Sequence, residues 1–167
     1  MSPTLPRIVV MGPSGSGKSA VGAALAVDLG VHFVDADDLH PAANVEKMSA
    51  GHPLTDEDRW PWLDVVGETM ADSTGIVMAC SALTRAYRER ILAMAPDAIF
   101  VELVVNRDEL QRRMTARSHF MPPALLNSQL ATLEPLEADE PGFQIENVGG
   151  IIDVASRAYD RVIALES

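Results

Sequence analysis

Short, nearly continuous apolar runs alternate along the chain with longer stretches in which apolar residues recur every three or four positions. Runs of the first kind are typical of strands buried on both faces of a sheet, and those of the second kind of amphipathic helices. The alternation predicts an α/β fold with a five-stranded parallel sheet flanked by helices. The predicted strands are Arg7–Met11, His32–Val34, Ile76–Cys80, Ile99–Val104 and Phe143–Val148. The predicted helices are Lys18–Leu29, Trp62–Met70, Arg85–Met94, Asp108–Ala116 and Ile151–Leu165.

The first predicted strand and the first predicted helix are joined by the pattern G-x-x-x-x-G-K-S, which spans Gly12 to Ser19. In this setting the pattern predicts a phosphate-binding loop (P-loop) for ATP, and hence the fold of the P-loop nucleoside triphosphate hydrolases. Main-chain N–H groups would surround the phosphates, the Lys18 cation would reach the β- and γ-phosphates, and the Ser19 hydroxyl would bind Mg²⁺. The predicted nucleotide-binding residues here are Gly12, Ser14, Gly15, Ser16, Gly17, Lys18 and Ser19.

Length and composition limit the number of domains, the cellular location and the kinds of partner that the chain can have. The chain has 167 residues, 47% of them hydrophobic, which predicts a single domain over 1–167. The sequence has neither an apolar run of about 20 residues nor a signal peptide, and with a single cysteine, Cys80, we expect a cytoplasmic protein. We expect Cys80 to be a small buried residue. A net charge of −11 argues against binding to nucleic acid or to an anionic membrane.

Two segments fit neither a strand nor a core helix, and such segments often hold the substrate contacts. The segment of about 35–62 is rich in Asp, His and Pro and is predicted to bind substrate. The segment of about 113–142 begins with arginines and ends in acidic residues and prolines, and it is predicted to be a mobile lid. Trp60 and Trp62 are predicted to be packing anchors rather than sugar platforms.

Asp35 and Asp37 follow the second predicted strand, whose carboxyl end opens into the same crevice as the P-loop. Alternation along the chain would point both side chains the same way. A solvated turn is the alternative for this pair. The third predicted strand ends in Cys80-Ser81-Ala82, without the second carboxylate that many P-loop enzymes use for magnesium. Asp35 would then carry more of that role.

Several segments resemble the gluconate kinase (gluconokinase) family, a group of P-loop kinases related in fold to shikimate kinases. They are DADDLHP, NVEKMSAGHPLTDEDRWPWL, CSAL, YRE, HFMPPALLNSQLATLE and ADEP, and the resemblance runs from about Ile8 to about Glu146. It implies ATP-dependent phosphorylation of the 6-hydroxyl of D-gluconate, commonly by a homodimer.

The resemblance also implies roles for individual residues. Asp37 would orient or deprotonate the attacking hydroxyl, and Asp35 would belong to the Mg²⁺ shell. Arg113 would lie by the adenine and Arg117 would reach over the phosphates as a catalytic cation, with Lys18 as the other. His119 would approach substrate or phosphate. In this chain a single residue, Ser118, separates Arg117 from His119, whereas the family usually has two residues there.

Gluconate carries a carboxylate and five hydroxyls, so its recognition needs at least one cation and several polar groups. The sequence leaves open which cation binds the carboxylate. Arg59 could instead pair with Asp56 or Asp58, and Lys47 with a nearby glutamate. The candidate substrate-binding residues are Asp37, His40, Lys47, Arg59, Ser81, Arg88 and His119.

Three other functions fit the sequence less well. A GTPase would need an N-K-x-D sequence, which the chain lacks. A kinase for shikimate or another sugar acid would share the P-loop and the aspartates, but the Cys80-Ser81-Ala82 turn and the H-P…N-x-E-K-M pattern disfavour it. A nucleotide-binding regulator without catalysis is disfavoured by the presence of Lys18 and both aspartates.

Overall fold

The computed structural model describes residues 5–13, 15–116 and 123–166. Its centre is one sheet of parallel strands in the order β2-β3-β1-β4-β5. The prediction of a five-stranded parallel sheet is therefore confirmed. The strands are β1 (Arg7–Met11), β2 (His32–Asp35), β3 (Ile76–Ala79), β4 (Ile99–Val104) and β5 (Gly142–Glu146).

Helices cover both faces of this sheet. In the described part of the chain, no helix is long and apolar enough to cross a membrane. The helices are α1 (Lys18–Leu29), α2 (Ala42–Ser49), α3 (Asp56–Ala71), α4 (Arg85–Met94), α5 (Arg107–Ala116), α6 (Pro123–Thr132) and α7 (Ile151–Glu166), with a 3₁₀ helix at Ala36–Leu39.

The sheet has a hydrophobic cluster on each face, because successive residues of a strand point to opposite faces. Val9 and Met11 of β1 face α3 and α4, where Trp62 is 2% exposed and serves as the predicted packing anchor. Ile8 and Val10 face α1 and α7 on the other side. Cys80 is fully buried at the end of β3, as expected, and burial raises the pKa of its thiol to about 12.

Two helices, α2 and α6, lie where the sequence predicted no core element, and a third, α3, begins earlier than predicted. α2 has only one buried residue, the polar Asn44, so no apolar periodicity marks it. α3 begins at Asp56 rather than at the predicted Trp62, because Thr55 and Asp58 form a capping box at its start. The segment predicted to be a lid contains α6 and the end of α5.

The edge of the sheet at β5 is covered by side chains of α7. The Pro141 carbonyl accepts from the Phe100 N–H, and the Asn147 N–H donates to the Val104 carbonyl, so odd-numbered residues face β4. Because successive residues of a strand direct their main-chain groups to opposite sides, the even-numbered residues point their carbonyls away from β4. Arg157 Nη2 donates to the carbonyl oxygens of Glu146 (3.3 Å) and Val148 (3.0 Å). Arg161 Nη1 donates to that of Gln144 (3.5 Å).

Candidate active site

The predicted P-loop joins β1 to α1, with Lys18 and Ser19 in the first turn of the helix. Gly17 caps α1 with φ of 90° and ψ of 13°, a left-handed conformation that favours glycine. A Cβ atom there would also clash with Asn147 Nδ2. The helix N-terminus and the main-chain N–H groups of such a loop form a binding site for anions.

Two side chains hold the loop from outside. Asn147 Nδ2 donates to the Ser16 carbonyl (2.6 Å), and Arg113 Nη1 donates to the Gly15 carbonyl (3.1 Å). Arg113 Nη2 reaches the Asn147 carbonyl at 3.4 Å. Arg113 therefore lies beside the P-loop, and its predicted place by the adenine stays a prediction. Asn147 was missed by the sequence analysis, although its place directly after β5, at a strand's carboxyl end, is a usable signal.

Among the predicted site residues, Ser16 is buried, and Ser14, Arg117 and His119 lie outside the described part of the chain. Ser16 is fully buried, its main-chain N–H donates to the Pro13 carbonyl at 3.1 Å, and its hydroxyl has no hydrogen-bond partner among the described residues. Ser14 lies outside the described residues, as do Arg117 and His119 of the predicted lid. The roles predicted for these three residues stay predictions.

Ser19 and Asp35 meet at the end of the P-loop. The Ser19 Oγ atom donates to Asp35 Oδ2 at 2.7 Å. Oxygen donors of this kind suit Mg²⁺, which usually takes one or two protein ligands and completes its shell with phosphates and water. In the described ranges, no group of three or more His, Cys, Asp or Glu side chains could hold a metal. The hydroxyl and carboxylate oxygens of Ser19 and Asp35 are donors that fit the predicted magnesium site.

The route by which Asp37 reaches the same crevice differs from the prediction. The strand ends at Asp35, whose Oδ1 accepts the Asp37 N–H at 3.0 Å and caps the 3₁₀ helix. The expected alternation along an extended chain was wrong, because the backbone turns between the two aspartates. The turn still brings Asp37 into the same pocket as Lys18, while Asp35 contacts the neighbouring Ser19.

A pocket opens beside the P-loop at the carboxyl ends of β2 and β3. It encloses about 530 Å³, part of it open to solvent. Five residues that the sequence placed in the site come together here: Lys18, Asp37, His40, Arg59 and Ser81. The remaining lining residues are Met48, Pro53, Leu54, Trp62, Leu83, Ser128 and Gln129.

Asp37 is the carboxylate that faces this pocket. Its side chain lines the pocket and is 50% exposed. Desolvation in the cleft raises its pKa above the ordinary value, Lys18 opposes that shift, and the charges of Asp35 and Asp38 add to it. A carboxylate with a raised pKa is a better proton acceptor, which suits the predicted task of deprotonating a hydroxyl.

His40 is held against the indole of Trp62. The ring centroids are 4.1 Å apart and the planes differ by 15°, and Trp62 Nε1 is itself anchored on the Ala36 carbonyl at 2.7 Å. Burial lowers the pKa of the imidazole to about 4, the Arg59 charge adds to the effect, and Asp35 opposes it. At neutral pH His40 is therefore an uncharged ring.

Of the candidate cations, Arg59 lines the pocket and Lys47 does not. Arg59 Nη1 donates to the Leu54 carbonyl (2.9 Å) and to the Tyr87 hydroxyl (2.8 Å), rather than to Asp56 or Asp58 as in the alternative left open above. Lys47 Nζ lies 2.7 Å from Asp58 Oδ2. This hydrogen bond, aided by the Thr55 N–H, lowers the pKa of Asp58 to about 2.

Arg88 was predicted to bind substrate, but the structure places it behind the pocket wall. Its side chain is fully buried, with Nε and Nη2 on the two carboxylate oxygens of Glu140 (2.6 and 2.9 Å). Its Nη1 donates to the carbonyl of Ala82 (2.9 Å), a residue with φ of 43° in the turn that carries Ser81. In this conformation the guanidinium supports the turn and does not reach the pocket.

Removing one partner of this pair is expected to destabilise the fold strongly. Glu140→Ala would leave a fully buried guanidinium without its counter-charge, a change that typically costs about 3–5 kcal/mol of unfolding free energy. Chemical denaturation of the variant and the parent would measure the loss. Asp64→Ala, which breaks the exposed pair with Arg90, is the control and should cost far less. Equal losses for the two variants would contradict a special role for the buried pair.

A P-loop on a five-stranded parallel sheet, with Ser19 and Asp35 in contact and Asp37 facing the adjacent pocket, defines the class of P-loop phosphotransferases. Residues 8–136 match the AAA domain family. The gluconokinase of Gluconobacter oxydans is 49% identical over 143 residues, covering 83% of this chain and 80% of that protein. The chain belongs to the gluconokinase family.

Solved structures agree with this assignment. A gluconokinase from Sinorhizobium meliloti 1021 superposes with a TM-score of 0.91 and 41% identity, covering 99% of this chain and 95% of that one. Shikimate kinase from Acinetobacter baumannii superposes over 97% of this chain and 95% of its own, with a TM-score of 0.69 and 23% identity. At that identity the second likeness shows a common fold only.

Proposed function

We propose that the protein is a gluconokinase, which transfers the γ-phosphoryl group of ATP to the 6-hydroxyl of D-gluconate and releases 6-phospho-D-gluconate. One observation carries the proposal. In a chain of the gluconokinase family, a P-loop lysine, a carboxylate, a neutral imidazole, a guanidinium and a serine line one pocket: Lys18, Asp37, His40, Arg59 and Ser81.

Phosphoryl transfer depends mainly on positioning and on neutralising charge. The P-loop N–H groups hold the phosphates, and the Lys18 ammonium stabilises the charge that develops on the transferring group. Asp37 accepts the proton of the attacking hydroxyl. Ser19 and Asp35 would hold Mg²⁺, which when bound neutralises phosphate charge. We also assign Arg113 to the nucleotide and Arg117 to the phosphates.

Recognition of a sugar acid needs a cation in an otherwise acidic protein. The chain carries a net charge of −11, yet Lys18 and Arg59 both line the pocket. Lys18 serves the phosphates, so Arg59 is the pocket cation available to the gluconate carboxylate. Ser81 and His40 supply hydrogen bonds to the hydroxyls. We further propose that the enzyme works in the cytoplasm as a homodimer.

A coupled ADP-release assay with Mg·ATP tests this function. The purified chain would be offered D-gluconate, shikimate, other sugar acids or no acceptor, with the product identified by mass. We expect ADP release that requires gluconate and a product heavier by one phosphoryl group. Turnover with a different acceptor and none with gluconate would show that the protein is a kinase with another substrate. ATP binding without turnover on any acceptor would refute the enzyme assignment.

A further inference from the structure

Asn44 is a buried polar residue beside the pocket with no role in the function described so far. It is 4% exposed and is the only buried residue of α2. Its side-chain nitrogen lies 2.9 Å from the main-chain oxygen of Asp58 and 3.2 Å from Nδ1 of His40. The amide therefore bridges the start of α3 and the imidazole ring.

These two distances fix where the hydrogens lie. A main-chain carbonyl oxygen can only accept, so the atom facing Asp58 must be the amide nitrogen of Asn44. The second hydrogen of the same NH₂ group is then directed at His40, and Nδ1 must accept it. In a neutral imidazole one nitrogen accepts while the other carries the proton. The proton of His40 is therefore on Nε2.

The protonated nitrogen faces the proposed base. His40 Nε2 lies 3.9 Å from Asp37 Oδ1, which is too long for a direct hydrogen bond. A single oxygen atom placed beside both could contact each of them at an ordinary hydrogen-bond length of about 2.8 Å. Stacking on Trp62 keeps the ring from turning away.

We propose that Asn44 is a positioning residue, which holds His40 with its proton on Nε2, and that this N–H donates to the same substrate hydroxyl oxygen whose proton Asp37 accepts. The inference rests on the proposed function and adds a rule of specificity to it. The group held here must both donate and accept a hydrogen bond. An alcohol satisfies this, whereas a ketone or a carboxylate leaves Asp37 facing an acceptor.

The surroundings of the ring keep it uncharged. Arg59 of α3 and Lys18 of α1 disfavour a cation in the pocket, whereas Asp35 of β2 and Asp37 of the 3₁₀ helix favour one. Burial decides the balance, since the side chain of His40 is 3% exposed. The donor is therefore expected to persist through the neutral pH range, without the loss of a proton near pH 6.5 that an exposed histidine would show.

Long-range ¹H–¹⁵N NMR of the histidine rings tests the tautomer directly. The chain has four histidines, and the His40 signals can be assigned as those missing from His40→Gln. In the parent we expect the pattern of a ring protonated on Nε2, unchanged from about pH 5.5 to 8. In Asn44→Asp a carboxylate faces Nδ1, so we expect a proton on Nδ1. A parent ring protonated on Nδ1 overturns the proposal.

Kinetics separates positioning from folding. We expect Asn44→Asp to raise KM for gluconate and lower kcat, each about tenfold, with KM for ATP changed less than twofold, because the P-loop is untouched. Asn44→Leu should behave similarly if it folds. His40→Gln, whose amide nitrogen can replace the Nε2 donor, should keep more activity than His40→Leu. Unchanged kinetics in Asn44→Asp, or equal losses in the two His40 variants, overturn the proposal.

The two proposals can fail separately. If the parent does not turn over gluconate, the proposed function fails, while the NMR experiment still reports the tautomer. If the parent turns over gluconate but His40 carries its proton on Nδ1, the function stands and the role assigned to Asn44 is wrong.

Discussion

Lys18→Ala is expected to lower kcat by about three orders of magnitude, with the fold intact. Lys18 lies in the first turn of α1 and lines the pocket, where its ammonium can stabilise charge that develops as the phosphoryl group moves. Its removal takes away a preorganised cation, whereas the N–H groups of the loop still bind ATP. Steady-state kinetics with saturating gluconate and ATP would measure the effect.

Two further variants sharpen this result. Lys18→Arg keeps the charge on a longer, planar group and tests whether position matters as well as charge. Arg112→Ala removes the same charge from an exposed side chain of α5 that pairs with Glu109 one turn away, and it should leave kcat near that of the parent. Full turnover by Lys18→Ala would refute the P-loop assignment.

Asp37→Asn is expected to lower kcat by about 10²–10⁴-fold, because the amide cannot accept the hydroxyl proton. KM for ATP should change little. A base acts only when deprotonated, so the kcat of the parent should fall as the pH drops through the pKa of Asp37. Since that pKa is raised, the fall should begin at a higher pH than for an ordinary aspartate. The pH profile of kcat checks this, and the acid limb should be absent from the variant.

Asp38→Asn is the matched control for Asp37. Asp38 follows it in the 3₁₀ helix and is exposed, without lining the pocket. Its charge helps to raise the pKa of Asp37, so its loss should shift the acid limb slightly to lower pH without lowering the plateau. A loss of ATP affinity alone in Asp37→Asn would show that Asp37 serves the nucleotide rather than the hydroxyl.

The sheet and the P-loop could be predicted from sequence because their signals are local. The run from Ile8 to Met11 is apolar at every position, since α-helices cover both faces of β1, and the loop pattern follows it directly. Helices α1 and α4 begin and end where their spacing predicted.

The resemblance to the gluconokinase family also placed Asp37, His40, Arg59 and Ser81 in the site, and all four line the pocket. Other parts of the site depend on contacts that no local pattern records. Helix α2 buries a polar side chain, so hydrophobic periodicity could not find it, and the role inferred for Asn44 was missed with it. Arg88 looked like a free cation one turn into α4, but Glu140, 52 residues further along, neutralises it. Sequence alone does not reveal a pair so distant along the chain, because the two residues meet only when the fold places β5 beside β4.

The arginines along β5 bear on how two copies of this chain can meet. An edge strand with free carbonyls invites another strand to add to it. Here the outward carbonyls of Gln144, Glu146 and Val148 already accept from Arg157 and Arg161. Continuing the sheet across this edge would require displacing both guanidinium groups. The proposed homodimer is therefore expected to form through side-chain packing rather than through a shared sheet at β5.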